Sequence, residues 1–436
     1  MQVSVEAAGN IRRRMTVALP AERVEKEYSA RLQRVSRTAR FPGFRPGKAP
    51  LKMVEAQYGG RLMDEVAGEL IEETFREAVS SQGLRPAGGP VLERKVAERG
   101  RDFEYTVLFE VYPEIERLDI AGRRIERPVA SVTDADVDRT LESLREQRVS
   151  HHAAERAAVA GDQLTVDFIG RVDGEPFEGG QASDYRLVLG ESALIPGFED
   201  GLTGARAGEE RTLELRFPDD YRNTHLAGRN AQFSVTVKTV AEPVLPEVDA
   251  EFARQLGIAD GDVDTLRREV RANLERELAD RVRTRVRDQV FATLLEINTF
   301  EVPQALVEAE IGQLVKQMQA NLAGQGLPAE AVPRDPAVYR DQALRRVRLG
   351  LVLAEFVKRQ SLIADAQAVR ERVEQMAASY EVPQKFIDWH YAQPGRLSDI
   401  ESLVLEEKAV ALLLDGAKVE DVPMSFEELT RPRPQS

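Results

Sequence analysis

A set of large apolar residues between positions 151 and 243 is the part of this sequence best suited to binding another polypeptide. The set is Phe168, Phe177, Tyr185, Leu187, Ile195, Phe198, Tyr221 and Phe233. Glycines separate the short segments that carry them, so a half-closed antiparallel sheet could gather them around one apolar pocket. Each residue taken alone also fits an ordinary core position. The residues therefore predict an apolar peptide-binding pocket, with a plain hydrophobic core as the alternative.

A second candidate site is the basic loop at residues 41–50, which contains three prolines and two glycines between two segments with helical patterning. Such a loop is conformationally restricted, so it can display Phe44, Arg45 and Lys48 outward at little entropic cost. An apolar ring beside two cations makes a docking tip for an anionic surface. The simpler alternative is a connection between two helices that is basic by composition.

The sequence offers little for nucleotide, metal or nucleophilic chemistry. Only three residues separate Gly43 from Gly47, and Ala49 stands where a phosphate loop needs Ser or Thr. Cysteine is absent, and the pair His151 and His152 lies in a charged segment without a carboxylate at metal spacing, which predicts a solvated turn. We therefore expect no cofactor, no nucleotide and no metal.

Charge is unevenly distributed along the chain. The 436 residues include 60 basic and 74 acidic side chains, a net charge of −14, which argues against a nucleic-acid-binding protein on bulk charge. Between positions 12 and 52, however, basic residues greatly outnumber acidic ones. One end of the molecule is therefore expected to contact one anionic partner.

The lack of recognisable targeting segments predicts a cytoplasmic location. The first residues lack the basic and apolar regions of a signal peptide, and no apolar run approaches the roughly 20 residues that span a bilayer. The absence of cysteine fits a reducing compartment. We expect a cytoplasmic protein that does not contact a membrane.

The chain is too long for one ordinary core, so several domains are expected. Residues 1–112 mix strand and helix patterns, and residues 113–150 read as a charged linker with one helix that begins near Thr133. Residues 151–243 are rich in glycine, with the short alternating segments of an antiparallel sheet. Residues 244–436 are helical almost throughout. The predicted fold class is multidomain α+β.

The C-terminal helices allow two arrangements. Candidate helices run near 264–297, 303–322, 336–360, 364–380 and 397–415. Their apolar stripes are typical of a core, but long helices with few aromatic residues also pack as extended arms with shallow apolar grooves between them. Periodicity does not distinguish a groove from a core.

Two motifs resemble known families. Residues 43–50 match the G-F-R-x-G-x-x-P signature of bacterial trigger factor. Residues 166–170, 174–178, 194–201 and 217–221 resemble the FKBP-type peptidyl-prolyl isomerase domain in order and spacing. The resemblance to trigger factor extends over essentially the whole chain.

The FKBP resemblance implies cis/trans isomerisation of X-Pro peptide bonds. The barrier is about 18–20 kcal/mol because amide resonance must be broken. A dry apolar pocket favours the twisted, less charge-separated amide without any proton transfer. The resemblance places Ile195 at the pocket floor, with its N–H on a substrate carbonyl. The implied catalytic residues are Phe168, Phe177, Ile195, Phe198, Tyr221 and Phe233.

The sequence departs from the general isomerase pattern at several positions. Phe168 replaces a common Tyr, Glu178 a common Asp, Phe198 a common Trp and Leu187 a frequent Phe. The loop after Tyr221 also lacks the family's second tyrosine. These changes keep the apolar character of the pocket and remove hydroxyl groups from it.

The trigger-factor resemblance implies an ATP-independent chaperone. It predicts an N-terminal α+β ribosome-docking domain, an FKBP-like antiparallel half-barrel and an extended all-helical C-terminal domain with two arms, which spans residues 244–436. The arms would hold unfolded nascent chains, and the free protein would form a weak homodimer. The resemblance also carries a link to cell division and the cell cycle. Docking on the large ribosomal subunit, at the polypeptide exit tunnel, would use Gly43, Phe44, Arg45, Pro46, Gly47 and Lys48.

Two other classes of protein stay open from the sequence. One is a dedicated FKBP-type peptidyl-prolyl isomerase whose flanking modules oligomerise or localise it. The other is a structural adaptor with an inactive isomerase fold, which would bind peptides without accelerating their isomerisation.

Overall fold

The chain folds as two units in a computed structural model. The first unit contains Met1–Arg127 and Thr284–Val422, and the second contains Pro128–Arg283 and Pro423–Ser436. The structure describes residues 1–42, 44–45, 47–98, 100–191, 194–221, 223–328, 332–378, 380 and 382–431.

The N-terminal part of the first unit is a four-stranded antiparallel sheet with two helices. Its strands stand in the order β1-β2-β4-β3. The elements are β1 (Gln2–Ala7), β2 (Arg12–Leu19), α1 (Ala21–Thr38), α2 (Leu51–Ser81), β3 (Val91–Val96) and β4 (Phe103–Glu110).

Apolar and polar residues alternate near position 105, the period-two pattern of a strand, and this segment forms β4. Phe103, Tyr105, Val107 and Phe109 are buried, while the residues between them are half-buried. The buried face of β4 packs against apolar residues of α2. Every second residue of the strand and every third or fourth residue of the helix therefore belong to the same core. The predicted helix spacing on both sides of the basic loop is confirmed.

Residues 113–150 contain a strand, β5 (Arg124–Val129), and a helix, α3 (Asp134–Glu146). The helix begins after Thr133, as predicted, and Thr133 and Asp136 form a reciprocal capping box. The strand was not predicted.

A five-stranded antiparallel sheet follows in the second unit, as the glycine-rich pattern predicted. Its strands stand in the order β6-β10-β7-β8, and β9 pairs with β10. The solvated turn predicted at His151 and His152 is wrong, because both residues lie in β6 and pair with β10. The elements are β6 (Ser150–Ala153), β7 (Gln163–Val172), β8 (Glu175–Val188), α4 (Phe198–Leu202), β9 (Glu210–Arg216) and β10 (Asn230–Val244).

The rest of the chain is mainly helical. The five predicted helices are confirmed as α6, α7, α8, α9 and α11, with ends that shift by up to three residues. The predicted α+β class with a helical C-terminal part is confirmed. The elements are α5 (Ala250–Gln255), α6 (Val263–Ile297), α7 (Gln304–Gly324), α8 (Ala337–Arg359), α9 (Ala366–Ala377), α10 (Pro383–Tyr391), α11 (Ser398–Gly416), β11 (Lys418–Pro423) and α12 (Phe426–Thr430).

The apolar stripes of the long helices are only partly covered. Along α7, Leu314 is buried, Leu306 and Ile311 are half-buried and Met318 is exposed. Exposed apolar side chains therefore accompany a small core in this part of the first unit. Other large apolar side chains exposed there are Leu327, Val338, Ile363, Tyr380, Val382, Trp389, Tyr391 and Leu412.

The strand β11 returns from the end of the helical part to pair with β5. Arg127 and Asp421 form a bidentate ion pair across this ribbon, with nitrogen–oxygen distances of 2.7 and 3.1 Å. The side-chain amide of Gln289 accepts from Glu126 N at 2.9 Å and donates to Glu126 O at 2.6 Å, as a neighbouring strand would. These contacts tie α6 and β11 to β5.

A buried carboxylate fixes the segment that leads into β7. Asp162 is 1% exposed, and its two oxygens accept from Arg156 Nη1 at 2.5 Å and Nη2 at 2.9 Å. One of them also accepts from Val159 N at 2.8 Å. Hydrogen bonding from Arg156 lowers the pKa of Asp162 below its ordinary value of 3.8.

We expect Asp162→Ala to destabilise the second unit by about 2–3 kcal/mol, because the hydrogen bonds that the buried carboxylate accepts from Arg156 and Val159 N are lost, while Arg156 stays partly exposed and paired with Glu242. Since the folded pKa is lowered, the stabilisation is present above about pH 4 and is lost as the pH falls below the ordinary value of 3.8. Scanning calorimetry should show a large gap between variant and parent at pH 7 and a smaller gap at pH 3. Asp219→Ala, which removes an exposed carboxylate, is the control. A gap that does not depend on pH would contradict this account.

Candidate functional site

A cleft of about 310 Å³ opens between α4 and the sheet of the second unit. It gathers residues from β7, β8, β10 and two connecting segments. All six residues that the sequence singled out for catalysis lie along it. The lining residues are Phe168, Phe177, Gly179, Leu194, Ile195, Pro196, Phe198, Phe217, Pro218, Tyr221 and Phe233.

Phe233 is the centre of the aromatic packing in the cleft. Its ring centroid lies 5.4 Å from that of Phe198, 6.1 Å from Phe177, 6.2 Å from Phe168 and 6.5 Å from Phe217. The Phe177 and Phe198 rings meet Phe233 nearly edge to face, the geometry that the aromatic quadrupole favours. One ring from β10 thus fixes the positions of four others.

Two glycines provide the space for these rings, because a side chain at either position would clash with them. Gly170 is the cross-strand partner of Phe233, and a Cβ at this position would lie 2.6 Å from Phe233 Cε1 and 2.9 Å from Phe177 Cε1. A Cβ at Gly180 would lie 2.7 Å from Phe177 Cζ. Larger residues at either position would push a ring into the cleft.

The segment before α4 lies at the cleft and contributes backbone groups to it. Gly197 has φ +88°, which favours glycine, and Phe198 N donates to Ile195 O at 3.1 Å. Phe198 is 2% exposed, so it lies deeper than the half-buried Ile195. No acceptor among the described residues takes the Ile195 N–H.

The sequence missed one aromatic residue of the cleft. Phe217 is buried and lies 4.7 Å from Tyr221, ring centroid to centroid. It stands four residues before Tyr221 in the motif that carried the resemblance, which was the available signal. Tyr221 is 36% exposed and forms the rim. By contrast, Tyr185 packs on Phe168 from outside the cleft, and Leu187 lies in the core.

The described lining of the cleft carries no charged side chain. The nearest elements place their charges elsewhere: Lys238 lies 2.8 Å from Asp167 and 2.7 Å from Asp184, and neither acid lines the cleft. Lys238 lowers the pKa of Asp167, and Asp167 raises that of Lys238. No group of three metal-binding side chains occurs among the described residues. The cleft therefore suits apolar binding without proton transfer.

The basic loop is anchored at its base and exposed at its tip. Phe41 is buried with its ring centroid 6.1 Å from that of Tyr58. Phe44 N donates to Phe41 O at 3.1 Å, and Lys48 N donates to Arg45 O at 2.9 Å. Gly43 and Pro46, which the sequence assigned to docking, lie outside the described residues.

The exposed tip carries cations that form no ion pair with the described part of the chain. Phe44 is 40% exposed, and Arg45 and Lys48 are exposed as well. Gly47, at φ +78°, completes the turn. No ion pair joins these cations to any residue that the structure describes. The same holds for a surrounding set of exposed basic residues, Arg34, Arg37, Arg40 and Lys52.

No helix in the described part of the chain is both long and apolar enough to cross a bilayer. The long helices α6, α7, α8 and α11 carry charged residues along their length.

Three family models match the chain. Residues 1–144 match bacterial trigger factor protein, residues 262–415 match the bacterial trigger factor protein C-terminus, and residues 154–238 match FKBP-type peptidyl-prolyl cis-trans isomerase. The last of these contains the cleft.

Full-length relatives agree with the family models. Trigger factor of Stutzerimonas stutzeri is 46% identical over 436 residues, which covers 99% of this chain and 98% of the relative. Trigger factor of Aromatoleum aromaticum is 44% identical over 429 residues, which covers 98% and 99%.

A solved structure from work on promiscuous substrate recognition by the trigger factor chaperone has the same fold. Its TM-score is 0.50 at 17% identity, over 95% of this chain and 99% of that one. A match over the entire length does not support a dedicated isomerase with unrelated flanking modules. The chain belongs to the trigger factor family of chaperones, and its second unit carries an FKBP-type peptidyl-prolyl isomerase domain.

Proposed function

We propose that the Phe233-centred cleft is the isomerase site of this chaperone and that the basic loop docks it on the large ribosomal subunit beside the exit tunnel. The observation that carries the catalytic assignment is a preformed aromatic cleft without a charged side chain in its described lining. The catalytic residues are Phe168, Phe177, Ile195, Phe198, Tyr221 and Phe233.

In this proposal the substrate proline enters the cleft between Phe177 and Tyr221 and rests on Phe198 and Phe233. The Ile195 N–H, which donates to no described residue, holds a substrate carbonyl. The planar amide is more charge-separated than the twisted one, so an apolar surround disfavours the ground state relative to the transition state. Each gain of about 1.36 kcal/mol is tenfold in rate, and no acid or base is needed.

The helical part of the first unit is proposed to hold unfolded nascent chains. Its half-covered stripes and exposed apolar side chains offer many small contacts to an extended polypeptide. Such contacts are weak one by one, so a client leaves once its own core forms, and neither ATP nor another nucleotide is required.

Docking is proposed to use residues 43–48 with the surrounding basic surface. Unpaired exposed cations attract an anionic partner and release counterions when they meet it. Phe44 adds an apolar contact at the centre. The protein would act in the cytoplasm and form a weak homodimer when it is free, and a link to cell division stays a prediction.

The predicted domain boundaries stay part of this proposal. Residues 1–112 would be the docking domain, 113–150 the linker, 151–243 the isomerase domain and 244–436 the chaperone domain with its two arms. Each function would then belong mainly to one segment of the chain.

We expect Phe177→Ala to lower kcat/KM for an Ala-Pro peptide at least about tenfold, because one wall of the cleft is removed and the twisted amide meets water. A cis/trans isomerisation assay measures the rate, and calorimetry confirms that the second unit stays folded. Tyr221→Phe keeps the ring against Phe217 and should change the rate less than about twofold.

The matched control is Tyr185→Ala, which truncates an aromatic residue of the same strand outside the cleft. We expect it to keep most of the activity. Full activity in folded Phe177→Ala protein, or an equal loss in both variants, would move the site elsewhere.

For docking, we expect the triple variant Phe44→Ala, Arg45→Ala, Lys48→Ala to lose about 90% of its co-sedimentation with ribosomes at moderate salt. Binding of the parent should also weaken as salt rises, because the attraction is between exposed charges.

The control is a second triple variant, Val91→Ala, Arg76→Ala, Arg94→Ala. It removes the same numbers of exposed apolar side chains and cations, one and two, from elements outside the loop. It should bind as the parent does. If both triple variants lose binding equally, net charge and not the basic loop carries docking.

A further inference from the structure

The helix that presents Phe198 to the cleft is too short to be stable alone. The helix α4 has five residues, Phe198–Leu202, and a left-handed glycine precedes it. An isolated turn of this length is marginal in water, and its last carbonyls have no partner within the helix. Something outside α4 must hold its C-terminal end.

Arg211, on β9, supplies that contact. Its Nη1 donates to Gly201 O at 2.8 Å and to Thr203 O at 2.9 Å. A cation at the C-terminal end of a helix also opposes the negative end of the helix dipole. One guanidinium nitrogen thus donates hydrogen bonds to two carbonyl oxygens at the end of α4.

Arg211 is itself held in place by a chain of contacts. Its Nε donates to Glu209 Oε1 at 2.9 Å, and Glu209 Oε2 accepts from Arg206 N at 2.8 Å. Val237 N, on β10, donates to Glu209 O at 2.9 Å. Because β10 also carries Phe233, this network links α4 to the strand at the centre of the aromatic packing. The hydrogen bond from Arg211 lowers the pKa of Glu209 below its ordinary value of 4.5.

We propose that Arg211 is a positioning residue for X-Pro isomerisation: by holding the end of α4 it keeps Phe198 against Phe233 and Phe168. It does not line the cleft and touches no substrate. The inference rests on the proposed catalytic role of the cleft. Loss of Arg211 lets α4 fray, and the ring that forms the deep side of the cleft loses its fixed position.

The first test compares Arg211→Ala with Arg211→Lys in the full-length chain. We expect Arg211→Ala to lower kcat/KM for an Ala-Pro peptide about tenfold at a temperature where calorimetry shows the second unit folded. Arg211→Lys keeps a cation that can reach the carbonyls and should recover at least half of that loss on a logarithmic scale. Arg186→Ala, which removes an exposed arginine of β8, should leave the rate unchanged.

The second test uses tryptophan fluorescence to measure how well the side chain at position 198 is shielded from water. The chain has a single tryptophan, Trp389, so the background F198W/W389F places the only indole at α4. Adding R211A should shift its emission to longer wavelength as the ring meets water, while R186A should not. These measurements need no substrate.

The outcomes separate this inference from the assignment of the cleft. If Phe177→Ala abolishes activity while Arg211→Ala keeps full activity and unchanged emission, Arg211 has no positioning role. If Arg211→Ala lowers activity only where the second unit begins to unfold, its role is general stability and the inference is overturned. If Phe177→Ala itself keeps full activity, the proposed site fails first, and the emission shift alone then decides whether Arg211 holds α4.

Discussion

The contact between Phe233 and the bare backbone of Gly170 is the constraint on which the proposed isomerase cleft depends. Because no Cβ stands at Gly170, the ring on β10 can lie close to β7 and leave room for Phe177 beside it. Edge-to-face contacts then fix Phe198 and Phe168 at distances near 6 Å. Aromatic rings held in this way do not collapse onto each other, so an apolar hollow persists without a ligand. Glycine at this position is therefore as much a part of the site as the rings are.

Chaperoning and isomerisation use the same physical property in different forms. In the cleft, aromatic surface is concave and rigid, which suits one side chain, the proline ring. Along α7 and in the other helices of the first unit, apolar surface is shallow and partly covered by its own neighbours, which suits an extended chain of no fixed sequence. The basic loop supplies positive charge on a chain that is acidic as a whole, and this charge would attract an anionic surface. In the proposed mechanism, neither activity requires an ionisable group to transfer a proton.

Local patterns predicted the parts of the fold that depend on neighbours in sequence. The alternation at Phe103 to Phe109, the cap at Thr133 and the long helices are all readable within one element. The pairing of β5 with β11 was not readable, because the partners are separated by nearly 300 residues and neither strand alternates clearly. The helix α10 is not among the candidate helices, although a proline such as Pro383 favours the first turn of a helix. The six cleft residues came from the family resemblance, which also contained Phe217 without marking it as a site residue, whereas the role of Arg211 needed three-dimensional distances.

The division of the chain also bears on how the protein is made. The isomerase sheet uses residues 150 to 244 without interruption, so it can close soon after that stretch leaves the ribosome. The first unit combines residues 1 to 127 with residues 284 to 422, and the Arg127–Asp421 pair joins its extremes. Residues between 3 and 111 form an apolar core of their own, but β5 cannot pair with β11 until residues 418 to 423 have been translated. The ribbon that joins the two segments of this unit therefore closes only when nearly the whole chain has been made.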